Sequence, residues 1–506
     1  MAGEEFRLQE PRKRFSDYFY NRITFVGVVI AIVVFTMEAT LYGIDFFASH
    51  HSLYLGLFTY FVLPPFLFLG LFLIPIGALW KKRRIEKGFA KRHPEPFLFD
   101  LSKSSHRNVL LIFLAGSSLV LIASVIGGYE SYQYTESVPF CGQLCHTVMK
   151  PEYTTYLQSP HARVKCVECH VGPGADNFIQ SKWTGLHQVF ALATHTYPRP
   201  IPAPVKNLRP ARDTCEQCHS PEHFFSSKQR LIRHYLGDEK NTPWNIRMLM
   251  HIGGGGPKGL GQTGIHWHML IHNKMKYVAR APDRQQIAWL KVVSEDGRET
   301  VYASKDKPPV AADLVPEKQR TMDCIDCHNR PTHRFLSPAR VVDTALAGGQ
   351  LSAALPYIKV QAVQALAGTY ASDQEADQKI TERLKAFYGT QDPKVVATAV
   401  AAVQEIYRRI QFPFMRSNWK AYPDNIGHLE FPGCFRCHGS DLTTKDGKTI
   451  TRNCNACHTI LSQGAGEQGD MISTKGLEFK HPADVDVDMK EADCISCHGG
   501  GSEVYP

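Results

Sequence analysis

Two features set the fold class: three apolar runs at the start of a 506-residue chain, and fourteen cysteines in seven pairs, each closed by a histidine. They predict three N-terminal transmembrane helices followed by a periplasmic multihaem cytochrome c domain. That domain should have little regular secondary structure, apart from a small β-hairpin and an α-helical insert. The reason is chemical. C-x-x-C-H is the attachment signature of c-type haem: two thiols add to the vinyl groups and the adjacent imidazole reaches the iron.

Residues 1–22 read as a cytoplasmic N-terminus, 23–47 as the first transmembrane helix, 53–80 as the second, 81–107 as a basic cytoplasmic loop and 108–129 as the third helix. Each apolar run reaches the about 20 residues that a bilayer requires. Buried globular helices are the plainer alternative, but three such runs with basic flanks at one end of a chain argue against it. Segments 1–22 and 81–107 together carry fourteen Lys and Arg, and 48–52 carries none. The positive-inside rule therefore keeps the N-terminus and the 81–107 loop in the cytoplasm and delivers everything after the third helix outward. No small-residue cleavage site follows the first run, so it reads as an uncleaved anchor. Pro64, Pro65 and Pro75 are expected to kink the second helix.

The net charge of +9 is concentrated in those cytoplasmic flanks, leaving about +4 on residues 108–506. Two propionates on every haem outweigh that remainder, so the loaded outer domain is expected to be acidic and no nucleic-acid partner is implied.

The first haem motif, Cys141, Cys145 and His146, has one extra residue between its cysteines and lies just beyond the third helix, which puts it at the membrane surface. The others are Cys166/Cys169/His170, Cys215/Cys218/His219, Cys324/Cys327/His328, Cys434/Cys437/His438, Cys454/Cys457/His458 and Cys494/Cys497/His498. Zinc ribbons also use paired cysteines, but zinc does not require a histidine after every pair. A disulfide framework would not distribute its cysteines this way. No cysteine is left over, so the expected cofactor load is seven covalently bound haem c groups.

The outer chain divides into 130–275 with haem motifs one to three, 276–340 with a hairpin and the fourth, a helical insert at 341–411, and 412–506 with the last three. Residues 285–303 carry the hairpin, turning at Asp296-Gly297. In the insert, Ser372 and Glu375 match a capping box, and VVATAVAAVQEIYRRI has amphipathic helical spacing.

Each haem iron has a sixth position. Histidine there gives a low-potential carrier, methionine raises the potential, and an empty position admits substrate. Of 23 histidines, seven are proximal and twelve others lie in the outer domain, enough to make most haems bis-histidine. His161, His333, His428 and His481 lie close to haem motifs and are the favoured distal ligands. One of His266 and His268 in GIHWHM joins them, with His268 taken first and the choice left open. Met149 is the candidate for the first iron, against the reading of an ordinary core methionine; His146 is the other possibility there. No C-x-x-C-K occurs, so a lysine-ligated catalytic haem is unsupported.

Over 141–219 the sequence resembles the NapC/NirT family of membrane-anchored multihaem quinol dehydrogenases. CGQLCHTVMKPEY, SPHARVKCVECH, Lys182 and DTCEQCH carry the likeness. The resemblance implies oxidation of menaquinol or ubiquinol at the outer membrane face, methionine on the first haem (Met149), a haem ligand at His161, and a lysine that lies near the quinol or ligates the second haem (Lys182). The family usually has one anchoring helix and four or five haems, a C-x-x-C-H-x-M first motif, and often an aspartate after that lysine; here His187 is the nearest polar substitute. As a whole the chain is similar to the larger inner-membrane cytochromes of metal-reducing bacteria.

Quinol oxidation also needs a proton acceptor. Glu38 lies about 24 Å along a helix from Arg22, level with the outer leaflet, and an intramembrane acid is a functional candidate against the bland reading of a hydrated interfacial carboxylate. The expected activity is therefore a menaquinol dehydrogenase of the bacterial inner membrane. Glu38, Lys182 and His187 would serve the quinol site, and the haem chain would lead to periplasmic c-type cytochromes and on towards extracellular, metal or other terminal acceptors. Its partners are the membrane quinol pool and those cytochromes, with homo-oligomerisation left open. The alternatives are a membrane-tethered conduit without its own quinol site, a subunit feeding a nitrate- or nitrite-type reductase, and a terminal reductase with an open haem.

Overall fold

The computed structural model describes residues 18–47, 59, 62–88, 101–102, 104–172, 174–205, 209–220, 224, 226–253, 264–269, 274–294, 296–466, 471–489 and 492–499. Most of the two cytoplasmic segments, residues 53–58 of the second apolar run, His50, His51, His223 and His272 lie outside these. The chain forms two compact units, 1–146 and 147–506.

In the first unit the apolar runs fold as helices α1 (Arg22–Phe47), α2 (Leu63–Glu86) and α3 (Ser104–Thr135). Within the described residues, Arg22–Gly43 and Leu63–Glu86 are long and apolar enough to cross a membrane. The third expected span falls inside α3, whose 32 residues reach about 48 Å at 1.5 Å per residue. Pro64 and Pro65 occupy the first turn of α2, where no intrahelical donor is needed, while Pro75 lies inside the helix.

Small residues let α1 and α2 approach closely. A Cβ at Gly27 would lie 2.7 Å from the Gly70 carbonyl oxygen, and one at Gly77 would lie 2.5 Å from Thr24 Oγ1. Thr24 donates across the pair to the Ile74 carbonyl at 3.2 Å. Packing through small residues with an interhelical hydroxyl bond is how helices associate where lipid removes the hydrophobic drive.

The second unit contains more regular structure than the sequence led us to expect. It begins with helices α4 (His146–Leu157) and α5 (Ala175–Ala193). Two antiparallel sheets follow. One has the order β1 (Lys228–Tyr235), β2 (Pro243–Met250), β8 (His458–Gly464), β9 (Met471–Leu477). The other has the order β6 (Arg320–Thr321), β3 (Lys274–Ala279), β4 (Ile287–Val293), β5 (Glu299–Ser304), β7 (Leu442–Thr443). The expected hairpin is β4–β5: Val293 faces Glu299, and Gly297 holds φ of +77° at the turn. It is the centre of a larger sheet, because β3 and β7 pair with its two edges.

The insert is a four-helix unit of α6 (Pro338–Ala347), α7 (Ile358–Ala367), α8 (Asp373–Phe387) and α9 (Pro393–Ile410). Its core gathers Val342, Ile358, Leu366, Ile380, Leu384 and Val403, all fully buried. Ser372 caps α8 as expected, its Oγ accepting from the Glu375 amide at 3.1 Å. The full capping box does not close, because Glu375 Oε2 accepts from the Ala371 amide at 2.7 Å, one residue before the cap. The Pro-rich strap before the third haem motif is extended and is pinned where Tyr422 donates to the Ile201 carbonyl at 2.7 Å.

Candidate haem centres

The C-x-x-C-H motifs fold as single tight turns. In four of them the histidine amide donates to the carbonyl of the first cysteine: His219 to Cys215 at 2.8 Å, His328 to Cys324 at 2.8 Å, His438 to Cys434 at 3.0 Å and His498 to Cys494 at 2.9 Å. A turn this tight keeps the two cysteines and the histidine close together, as attachment to one porphyrin requires.

All fourteen cysteines are free thiols, so no disulfide competes for them. Cys218, Cys327, Cys434, Cys454 and Cys497 are exposed, and the other nine are half-buried. A thioether forms at the porphyrin edge, so a turn that carries one must leave that side open to the ring. In the third and seventh motifs the amide of the second cysteine also donates back to the carbonyl of the first, Cys218 to Cys215 at 3.1 Å and Cys497 to Cys494 at 3.3 Å.

Opposite six of the seven motif histidines stands a second imidazole. The pairs are His170 with His333 (6.2 Å between ring centres), His219 with His161 (6.0 Å), His328 with His266 (6.4 Å), His438 with His268 (5.9 Å), His458 with His428 (6.3 Å) and His498 with His481 (6.2 Å). A metal–imidazole bond of about 2 Å and about 1.1 Å from nitrogen to ring centre, taken twice, places two axial rings about 6.2 Å apart. The gaps thus have the width that an iron between two imidazoles needs.

The outer nitrogens are engaged. His333 Nδ1 donates to the Glu152 carbonyl (2.9 Å), His266 Nδ1 to Ile252 (2.7 Å), His268 Nδ1 to Ile265 (2.6 Å), His438 Nδ1 to Thr451 (2.8 Å) and His481 Nδ1 to Ala483 (3.0 Å). A carbonyl on Nδ1 fixes the ring orientation and leaves Nε2 with its lone pair for a metal. Burial pushes His170, His268, His328, His333, His428, His458 and His498 below the ordinary imidazole range, favouring the neutral form that can ligate. His333 is further braced by Glu152, whose carboxylate accepts two bonds from Arg330 Nη2 at 2.8 and 2.9 Å.

The remaining described histidines are built differently. His251 has both ring nitrogens occupied, by Ser227 Oγ and Thr459 Oγ1, each at 2.9 Å. His234 pairs with Asp343 at 3.2 Å. Among the described residues no second ring faces His146; Met149 is three residues along α4 and is half-buried.

The structure brings both His266 and His268 into pairs, each against a different motif, where the sequence had offered a choice of one. The signal for both was their spacing of two, which sets neighbouring rings on diverging sides of a short 3-10 turn (Ile265–Met269). The ring opposite His170 is that of His333. The Lys182 ammonium lies 4.5 Å from the Phe178 ring centre on α5. His187 is exposed on the same helix, five residues on and so about 140° around it. Glu38 belongs to the first unit and faces α3, where a Cβ at Gly127 would lie 3.9 Å from its Oε1.

Residues 102–200 match the model of the NapC/NirT cytochrome c family, N-terminal region. The chain is 40% identical over 501 residues to the cytochrome c-type protein ImcH of Geobacter sulfurreducens, covering 97% of each chain. This chain belongs to the NapC/NirT cytochrome c family. The chain is also similar to the cytochrome c-type protein NrfH of Wolinella succinogenes, 31% identical over 140 residues that cover 26% of this chain and 78% of that protein. No solved structure matches. Membership makes this chain a membrane-anchored electron-transfer cytochrome with covalently bound haem c, and the paired imidazoles described above fit that group.

Proposed function

We propose that this NapC/NirT cytochrome oxidises menaquinol at the outer face of the bacterial inner membrane and passes its electrons through seven haems to periplasmic c-type cytochromes, towards extracellular or other terminal acceptors. The observation that carries this reading is the set of six imidazole pairs at 5.9–6.4 Å. Two imidazoles on an iron leave no position for substrate and hold a low potential, which suits a relay. Bound haem would supply reversible one-electron chemistry there.

Cysteine sulfurs of successive motifs are electrostatic neighbours: Cys169 with Cys215, Cys215 with Cys324, Cys327 with Cys434, Cys434 with Cys457 and Cys454 with Cys494. That supports a relay whose order in space, from the second motif to the seventh, follows the order in sequence. α3 serves as the third membrane crossing, and all seven motifs stand on the periplasmic side.

Menaquinol loses two electrons and two protons to become menaquinone, so the chain must take both protons away. Glu38 accepts a quinol proton from within the outer leaflet, with Lys182 and His187 binding the quinol oxygen and passing protons outward. Helix α5 supports this role. Ile179, Trp183, Leu186 and Phe190 form an exposed apolar stripe at spacings of four, three and four, Trp183 being 77% exposed, and such a face rests in the headgroup boundary where quinols are found. The first haem is held by Cys141 and Cys145 and ligated by His146 or Met149.

The test is quinol-driven haem reduction in proteoliposomes. A menaquinol analogue is expected to reduce the haems, and Glu38→Gln to slow that step about tenfold or more while dithionite reduction is unchanged. No reduction by any menaquinol analogue, or equal rates in Glu38, Lys182 and His187 variants, would instead make the chain a conduit fed by another subunit.

A further inference from the structure

We propose that the fourth and fifth haem motifs form one rigid, redox-coupled pair, clamped on one face by the His266-Trp267-His268 segment and on the other by the contact of Asp326 with Arg436. The proposal rests on the axial-ligand reading of the imidazole pairs and adds that these two centres behave as a unit.

On the distal side, a single 3-10 turn, Ile265–Met269, sends His266 to His328 and His268 to His438. The turn is not free to flex. The Ile265 amide donates to the His251 carbonyl at 2.8 Å, the His266 amide to the Gly253 carbonyl at 3.0 Å, and His266 Nδ1 to the Ile252 carbonyl at 2.7 Å, so the turn is stitched to the end of β2. Gly264 makes the approach possible: it holds φ of +130°, and a Cβ there would lie 2.6 Å from the Gly253 carbonyl oxygen.

The proximal side is locked independently. Asp326 sits between the two cysteines of the fourth motif, and Arg436 between those of the fifth. Arg436 Nη2 donates to the Asp326 carbonyl at 2.6 Å and Nη1 to the Arg284 carbonyl at 2.9 Å. The Asp326 carboxylate is buried and accepts from Tyr277 Oη (2.7 Å), Arg284 Nη1 (2.9 Å), Arg320 Nε (2.8 Å) and the Asp323 amide (2.7 Å). Those donors come from β3, the loop after it, β6 and the motif itself. Buried charge-assisted networks of this kind hold their members in one arrangement, because losing a partner strands a charge.

With the histidines of both motifs held by fixed elements, two bound haems would be kept at one separation, and reduction of one would be felt electrostatically by the other. The same geometry labels them spectroscopically. The His266 and His328 rings are parallel (1° between planes), whereas His268 and His438 are crossed at 84°. Parallel axial imidazoles give a rhombic low-spin electron paramagnetic resonance (EPR) signal, and crossed ones a highly anisotropic signal.

The experiment uses the full-length, haem-loaded protein carrying His266→Met, His268→Met, both together, or Arg436→Gln, with haem count by mass, EPR-monitored redox titration and the methionine-to-iron absorption band. We expect seven haems throughout. His266→Met should remove a rhombic signal and His268→Met an anisotropic one, with one methionine–iron band in each single variant and two in the double. Each single variant should also shift the titration of the neighbouring haem. Arg436→Gln should leave both signals in place and at least halve that mutual shift. A double variant with only one methionine–iron band, or a mutual shift that Arg436→Gln leaves untouched, overturns the pair. If His333→Met, His428→Met and His481→Met also leave every low-spin signal unchanged, the axial-ligand reading itself has failed.

Discussion

The helical insert and the stretch from Thr147 to His219 are of similar length, yet they are held together by different means. The insert buries Val342, Ile358, Leu366, Ile380, Leu384 and Val403 in a core of its own. From Thr147 to His219 the only buried side chains among the described residues are Pro151, Thr155, Tyr156 and Ala211. Two haem motifs lie in that stretch, so the apolar mass missing from its side chains is what porphyrin rings would bring. One region folds on hydrophobic burial by its own residues. The other is a set of turns and helices arranged around groups that are attached afterwards.

The sharpest way to break this comparison is to withhold the haem. Protein made without haem attachment is expected to lose protection across 147–219 entirely, while residues 338–411 survive limited proteolysis as a fragment; equal protection of both would show that the contrast is wrong. A smaller effect is expected from Leu366→Ala, which empties a fully buried site and should destabilise the insert by about 2–5 kcal/mol. Hydrogen exchange should rise across 338–411 with the haem absorption spectrum unchanged. The smallest is Ser372→Ala, which removes the α8 cap and should cost about 1 kcal/mol, read as faster exchange confined to the first turn of α8.

The same contrast governs what could be read from the sequence. The insert was legible because its signals are local: apolar spacing and the Ser372 cap each speak for one helix. The attachment motifs were legible because five adjacent residues carry the whole chemistry. The sheets were not legible, beyond the β4–β5 hairpin, because β2 pairs with β8 by placing Arg247 beside Ser462, and no local pattern announces so distant a partner. The paired histidines lie between these cases. His161, His333, His428 and His481 were singled out by nearness to motifs, but nearness does not say which motif: His333 faces His170, and His161 faces His219. His266 and His268 were taken as alternatives because one segment was expected to serve one iron. Glu152, Arg330, Asp326 and Arg436 went unnoticed, since charged residues beside haem motifs look like ordinary surface until a buried network is seen around them.

The central claim is that the six facing imidazole pairs are axial ligand sets within a chain of seven covalently bound haems. Low-temperature magnetic circular dichroism of the oxidised full-length protein, calibrated against its haem content by intact mass, tests it most directly. The expected result is a mass carrying seven haems and a near-infrared spectrum in which six are bis-histidine low-spin, the first haem alone differing. A mass with fewer haems, or several high-spin or singly ligated irons, would contradict it.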